Sequence, residues 1–254
     1  MDALLLPIAA HDASLGADLA GLASTRILFG HQSVGMNLLN GIAMIAAAHG
    51  GPSPRVVETV DDAGPGTIAH TFLPRNGAPE LKLTSFQRAL ESAAGRSADV
   101  ALMKFCYADF TDRTDARTLF ARYRAAMAVL RRTHGRVTFA HVTVPLTSVR
   151  ERHGAQEVVA ALAGRVPRSV RENGRREEFN DLLRGMYGGS GLVFDLAQFE
   201  STGPDGSSQL HRGEDRLVPA LCSAYTDDGG HLNAPTAERI GRSLIGFLAN
   251  VATQ

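Results

Sequence analysis

The sequence predicts an α/β protein: a doubly wound three-layer α/β/α sandwich on a five-stranded parallel sheet, in the flavodoxin-like order 2-1-3-4-5. Three observations predict it. Short strand-like runs alternate with stretches of helical periodicity. Those runs are apolar throughout rather than every second residue, as in strands covered on both faces. No repeat, low-complexity tract or interdomain linker interrupts the 254 residues, so residues 1–254 form one domain long enough to bury a substantial core.

Residues 10–24 predict an amphipathic helix leading into the first strand. Ile27, Leu28 and Phe29 are that strand, which runs into Gly30 and the polar triplet His31-Gln32-Ser33. Val34, Leu38, Ile42 and Ile45 then recur at helical spacing, so a helix begins at Ser33 and ends at Gly50-Gly51 and two prolines. Residues 55–60 are a second strand. It opens into residues 61–66, too rich in Gly and Pro to continue it. A helix over 83–94 precedes a third, buried strand at 100–103. A long helix over 115–132 carries basic residues in its last turn, where the helix dipole favours them. The fourth strand, 137–144, is cut at Pro145. Residues 146–167 fit no regular unit and predict an excursion over the surface. A helix at 175–186 leads to a fifth strand at 192–196, then a long loop over 197–226. The closing helix, 235–251, places Ile240, Leu244, Phe247, Leu248 and Val251 on one face.

Composition excludes several classes of function. Lys+Arg and Asp+Glu are both 26, giving a formal net charge of zero. Such a balance suits neither a nucleic-acid surface nor an anionic membrane. No apolar run approaches a bilayer span. The apolar start has no basic residue before Arg26, unlike a signal peptide; the expectation is a cytoplasmic protein, or a secreted one if a leader has been trimmed. Cys106 and Cys222 are too few for a disulfide framework or a zinc site, although a single bridge between them stays open. No H-x-x-H pattern occurs, and Asp61-Asp62 alone is a poor metal site. No metal and no cofactor are expected.

In a doubly wound sheet, ligands bind outside the carboxyl ends of the strands at the switch point. The loops there are residues 30–35 and 106–109, which puts Ser33 at the expected site. A serine at a helix start lies beside unpaired backbone N–H groups. It can cap the helix, or it can act as a nucleophile whose oxyanion those N–H groups hold. A nucleophile needs a base and the base an orienting group. His231, just before the last helix, has Asp228 three residues earlier across two glycines. Such a loop can fold back so that the carboxylate meets one imidazole nitrogen.

These blocks, in this order, resemble the SGNH (GDSL-like) hydrolases, a superfamily of esterases and acetylesterases. The blocks are Gly30-x-x-Ser33 after strand one, a Gly loop after strand two, a polar loop after strand three and Asp228-Gly229-Gly230-His231-Leu232 before the final helix. The resemblance spans nearly the whole chain, and the Asp228–Leu232 block is its most specific piece. Gly30-His31-Gln32-Ser33 is a looser match with an extra residue beside the usual G-D-S, closer to variants reading H-H-S or G-Q-S, the latter found in sialate-type acetylesterases. The resemblance implies Ser33 as nucleophile, His231 as general base and Asp228 as its orienter. Ser33 N–H and a Gly64 or Gly66 N–H would be oxyanion donors. The family's third block, G-x-N-D, supplies an Asn donor; here Cys106-Tyr107-Ala108-Asp109 has none. A missing donor costs about 100–1000-fold in rate unless Gln32, Asn37, Tyr107 or a backbone N–H replaces it.

Further candidates lie around this cleft. Lys104 interrupts an apolar strand near its carboxyl end; it either binds an anionic substrate group or pairs with an acid such as Asp109. His31 and His70 are placed to line the cleft. His141, within a strand, reads as a core histidine, and Cys106 as a small buried hydrophobe. The expected function is a metal-independent serine ester hydrolase working through a covalent acyl-enzyme. Its substrate would be a small-molecule or carbohydrate ester with a short acyl group such as acetyl. The rival expectation is a noncatalytic binding protein that keeps the cleft but has lost turnover, as Ala108 suggests.

Overall fold

A computed structural model describes residues 12–149 and 166–254. In chain order the elements are α1 (Asp12–Leu22), β1 (Arg26–His31), α2 (Ser33–His49), β2 (Arg55–Glu58), β3 (Thr67–Phe72), α3 (Pro79–Leu90), α4 (Ala93–Ser97) and β4 (Val100–Met103). There follow α5 (Ala116–Thr133), β5 (Thr138–Val142), α6 (Arg168–Tyr187), β6 (Val193–Phe194), α7 (Leu196–Ser201), β7 (Leu210–Arg212), β8 (Leu217–Pro219) and α8 (Ala234–Ala252).

Strands β1 to β6 form one parallel sheet in the order β2-β3-β1-β4-β5-β6. This is the predicted order with one strand, β3, inserted beside β1. From β1 the chain goes out to the edge strand β2, returns to β3 beside β1, then crosses to the other side of β1 for β4, β5 and β6. The switch point therefore lies at β1, whose carboxyl end is His31. The stretch predicted as a long loop after β6 instead holds α7 and the β7–β8 hairpin, which pairs outside the main sheet. The predicted excursion over 146–167 lies largely outside the described residues. Cys106 and Cys222 are both buried and free.

Alternate residues of β1 face opposite layers, as pleating requires. Ile27 and Phe29 pack with Leu38 and Ile42 of α2 and with Ile240 and Leu244 of α8. Leu28 packs on the other face with Phe86 of α3, Tyr123 of α5 and Phe179 of α6. Beyond Thr143, whose N donates to Phe194 O of β6 at 3.2 Å, α6 holds the chain with side chains. Asn180 accepts from Val144 N at 2.7 Å and donates to Val144 O at 3.1 Å. Asn173 does the same for Thr147, at 3.1 and 2.7 Å. Both amides are fully buried, so these bonds offset a desolvation cost of about 1–3 kcal/mol per unsatisfied group. Among the described residues no helix is long and apolar enough to cross a membrane.

Two glycines bring α2 and α8 into close contact. A Cβ on Gly41 would lie 2.1 Å from the Ala237 carbonyl oxygen, and one on Gly241 would lie 3.0 Å from the Gly41 carbonyl carbon. Both obstacles are backbone and cannot swing aside. Gly41→Ala should therefore force the helices apart and cost about 1–3 kcal/mol, read as a lower urea midpoint at unchanged m-value. Gly21→Ala, in α1 with open space around it, should leave the midpoint unchanged or slightly higher.

Candidate active site

The loops that follow β1, β3, β4 and β5 meet at the carboxyl edge of the sheet. Ser33 is the first residue of α2, and the N-cap is Gln32, whose side chain makes no capping bond. Gln32 O accepts from Gly35 N at 2.7 Å and Met36 N at 3.3 Å. Ser33 N and Val34 N are thereby left without a backbone acceptor among the described residues. The Ser33 side chain, half-buried, makes no hydrogen bond there either. Capping is not what holds this serine in place.

Asp228 and His231 fold back on one another as the Gly-Gly spacing predicts. Asp228 Oδ2 lies 2.5 Å from His231 Nδ1, and Oδ1 accepts from Gly230 N and His231 N, each at 2.8 Å. These bonds, the His231 side chain first, hold the Asp228 carboxyl well below the usual carboxylate range. A carboxylate only accepts, so Nδ1 carries the proton, and in the neutral imidazole the lone pair lies on Nε2. Three contacts pin this loop at the carboxyl edge. Leu232 N donates to Asn37 Oδ1 at 3.2 Å, Ser148 N donates to Gly229 O at 2.9 Å, and the Tyr107 ring meets His231 edge-on at 5.9 Å. Gly230 lets the Tyr107 ring close on this loop, since a Cβ there would lie 2.9 Å from the Tyr107 hydroxyl oxygen and push the ring aside. Asn37 is four residues after Ser33 and so on the same helix face, about 6 Å along the axis.

Several expected cleft residues lie elsewhere. Gly64 and Gly66 sit at the opposite, amino edge: Gly66 N donates to Thr25 O at 3.0 Å, and Ala63 O accepts from Arg55 at 2.9 Å. Two consecutive parallel strands require the chain to travel back along the sheet, and these glycines end that return. The loop that does flank Ser33 follows β3, at residues 73–77. His31 is buried behind the Ser33 turn, with Nδ1 on Gln32 O at 2.8 Å and Nε2 facing His70 Nδ1 at 3.1 Å. Burial lowers the His31 pKa to about 3 and also lowers that of His70, so this pair is a neutral prop. His141 is the core histidine expected, taking Tyr123 Oη at 2.7 Å.

Lys104 is also buried. Its ammonium donates to Phe105 O at 3.1 Å and cannot meet a substrate, and burial lowers its pKa to about 8. Asp109 pairs not with Lys104 but with Lys82 of α3, at 2.7 Å, both side chains fully buried. The same carboxylate accepts from Gly77 N at 2.9 Å and Cys106 N at 2.7 Å. Asp109 is thus a latch between the loops after β3 and β4, out of reach of a ligand. Of the possible replacements for the missing Asn, the Gln32 amide donates to Leu73 O. The Asn37 oxygen is turned to Leu232, and Tyr107 packs against the His231 loop. No group of His, Cys, Asp or Glu able to hold a metal occurs among the described residues.

No family model matches the chain, and no curated protein matches it. Solved structures do. One, from Streptococcus pneumonia and described as a candidate platelet activating factor, superposes with a TM-score of 0.54 at 14% identity, covering 95% of this chain and 94% of that one. A candidate lipolytic protein of the G-D-S-L family from Desulfitobacterium hafniense DCB-2 gives a TM-score of 0.49 at 8% identity, covering 89% and 99%. The first of these likenesses shows a shared three-layer α/β/α fold.

The Lys82–Asp109 pair should matter far more than the exposed ion pairs. Lys82→Met leaves a buried carboxylate uncompensated and should cost about 3–5 kcal/mol. Arg122→Ala, which breaks the exposed pair between Arg122 of α5 and Glu80 of α3, should cost at most about 1 kcal/mol. Urea midpoints of the two variants check the contrast.

Proposed function

We propose that the protein is a carboxylic ester hydrolase acting through a covalent acyl-enzyme on Ser33. The observation that carries this reading is the anchoring of the Asp228–His231 pair, through Leu232 N and Asn37 Oδ1, to the helix face that Ser33 opens. The likeness of its sequence blocks, Gly30–Ser33 and Asp228–Leu232, to those of the SGNH hydrolases supports it.

In the reaction, Ser33 Oγ bonds to the ester carbonyl carbon while its proton passes to His231 Nε2. The carbonyl electron pair moves onto oxygen, where Ser33 N–H and Val34 N–H, at the positive end of α2, are available to hold it. Collapse expels the alcohol, which takes the proton from His231. A water molecule, deprotonated by the same nitrogen, then releases the acid and regenerates Ser33. Asp228 keeps Nδ1 protonated and stabilises the imidazolium that forms. The likeness of Gly30-His31-Gln32-Ser33 to G-Q-S acetylesterases favours a short acyl group, acetyl first, on a polar or carbohydrate alcohol. Ala108 favours the second reading, a cleft that binds such esters without turning them over.

On p-nitrophenyl acetate, Ser33→Ala and His231→Ala should each remove most of kcat. The double variant should be hardly slower than either, because the two residues act as a unit. Asp228→Asn should be milder. A double variant slowed by the product of the two single factors would contradict the shared mechanism, and a wild type with no measurable rate would favour the binding protein.

A further inference from the structure

The oxyanion hole of the proposed reaction lacks the side-chain donor that position 108 would supply, and the loop after β3 offers another. Asn76 lies in that loop, exposed at the carboxyl edge. The loop is tied down on both sides. Leu73 N donates to His31 O at 2.8 Å, and Leu73 O accepts from the Gln32 amide. Its first residue therefore abuts the two residues preceding Ser33. At its other end Gly77 N is held by Asp109, and a Cβ on Gly77 would lie 3.9 Å from the Ala108 carbonyl oxygen. The loop that carries Asn76 thus runs from the Ser33 turn to the loop after β4, where the donor is missing.

Its amide is also oriented. Lys82 Nζ donates to Asn76 Oδ1 at 2.8 Å. An ammonium has no acceptor, so the amide oxygen must face it and Nδ2 must turn away. Among the described residues Nδ2 has no acceptor. The preceding residue, Arg75, has φ 50°, the one positive φ outside glycine among the described residues. Strain of this kind persists where surrounding contacts enforce it, often at functional loops.

We propose that Asn76 is a catalytic residue, its Nδ2–H donating to the carbonyl oxygen as negative charge develops there during attack by Ser33. The proposal rests on the serine-hydrolase reading. It moves the side-chain donor from the loop after β4 to the loop after β3, with Lys82 positioning it and Asp109 fixing both loops.

The test compares Asn76→Ala and Asn76→Asp with wild type and Ser33→Ala on p-nitrophenyl acetate, with thermal unfolding measured alongside. Both Asn76 variants should lose about 100–1000-fold in kcat with KM changed by less than about threefold, since the bond is made chiefly in the transition state. Asn76→Asp keeps an oxygen for Lys82 but has no N–H, so a purely structural role would spare its kcat. If Ser33→Ala abolishes turnover while either Asn76 variant keeps wild-type kcat, the assignment of Asn76 is overturned and the serine mechanism stands. If Ser33→Ala leaves the rate unchanged, the hydrolase reading itself is overturned.

Discussion

The close crossing of α2 and α8 carries the candidate site. Ser33 opens the first of these helices, and the Asp228–His231 loop runs directly into the second. Asn37 and Leu232, which join the two parts, are 195 positions apart in the chain. A hydrogen bond over that separation survives only if the helices behind it hold their spacing. Gly41 and Gly241 provide it by letting backbone meet backbone where ordinary side chains would keep helix axes about 8–10 Å apart. The apolar contacts of Leu38, Ile42, Ile240 and Leu244 then bury the rest of the seam. Core packing on one face of the sheet thereby becomes distance control at its edge.

The other face works differently. There the carboxyl-edge loops are held by buried polar side chains rather than by ladder bonds. Asn173 and Asn180 pair with backbone beyond β5. Arg176, from the same helix, donates to Tyr107 O at 3.1 Å and to Thr147 Oγ1 at 2.8 Å. Lys82 and Asp109 tie the loops after β3 and β4 together. Each such group repays its desolvation only while its partners stay in place. The loops therefore have one low-energy arrangement, which suits a site where the placement of donors matters by fractions of an ångström.

The sequence makes five of the six strands of the main sheet legible because those strands are apolar runs bounded by turn residues. Strand β3 escapes notice because His70 and three threonine or phenylalanine neighbours follow a Gly/Pro loop and show no apolar run. What makes His70 acceptable inside a sheet is His31, 39 residues away, a partner no local window reveals. Missing that strand also misplaces Gly64 and Gly66, since the loop after β2 then seems to stop at the cleft. The Asp228–His231 pair is legible because its contact spans three residues. Lys82, Asn76 and Ser148 are not, because their roles come from partners brought in by the fold. Ser33 resembles a cap in sequence, yet Gln32 takes the N-cap place and leaves the serine unbonded.

The central claim is that Ser33 is a nucleophile activated by His231, and trapping it covalently tests that most directly. The intact protein, treated with a fluorophosphonate and digested, should yield by mass spectrometry a single adduct on the peptide containing Ser33, and the His231→Ala protein should be labelled far more slowly. A folded protein that takes no adduct, or takes it on another residue, would contradict the account.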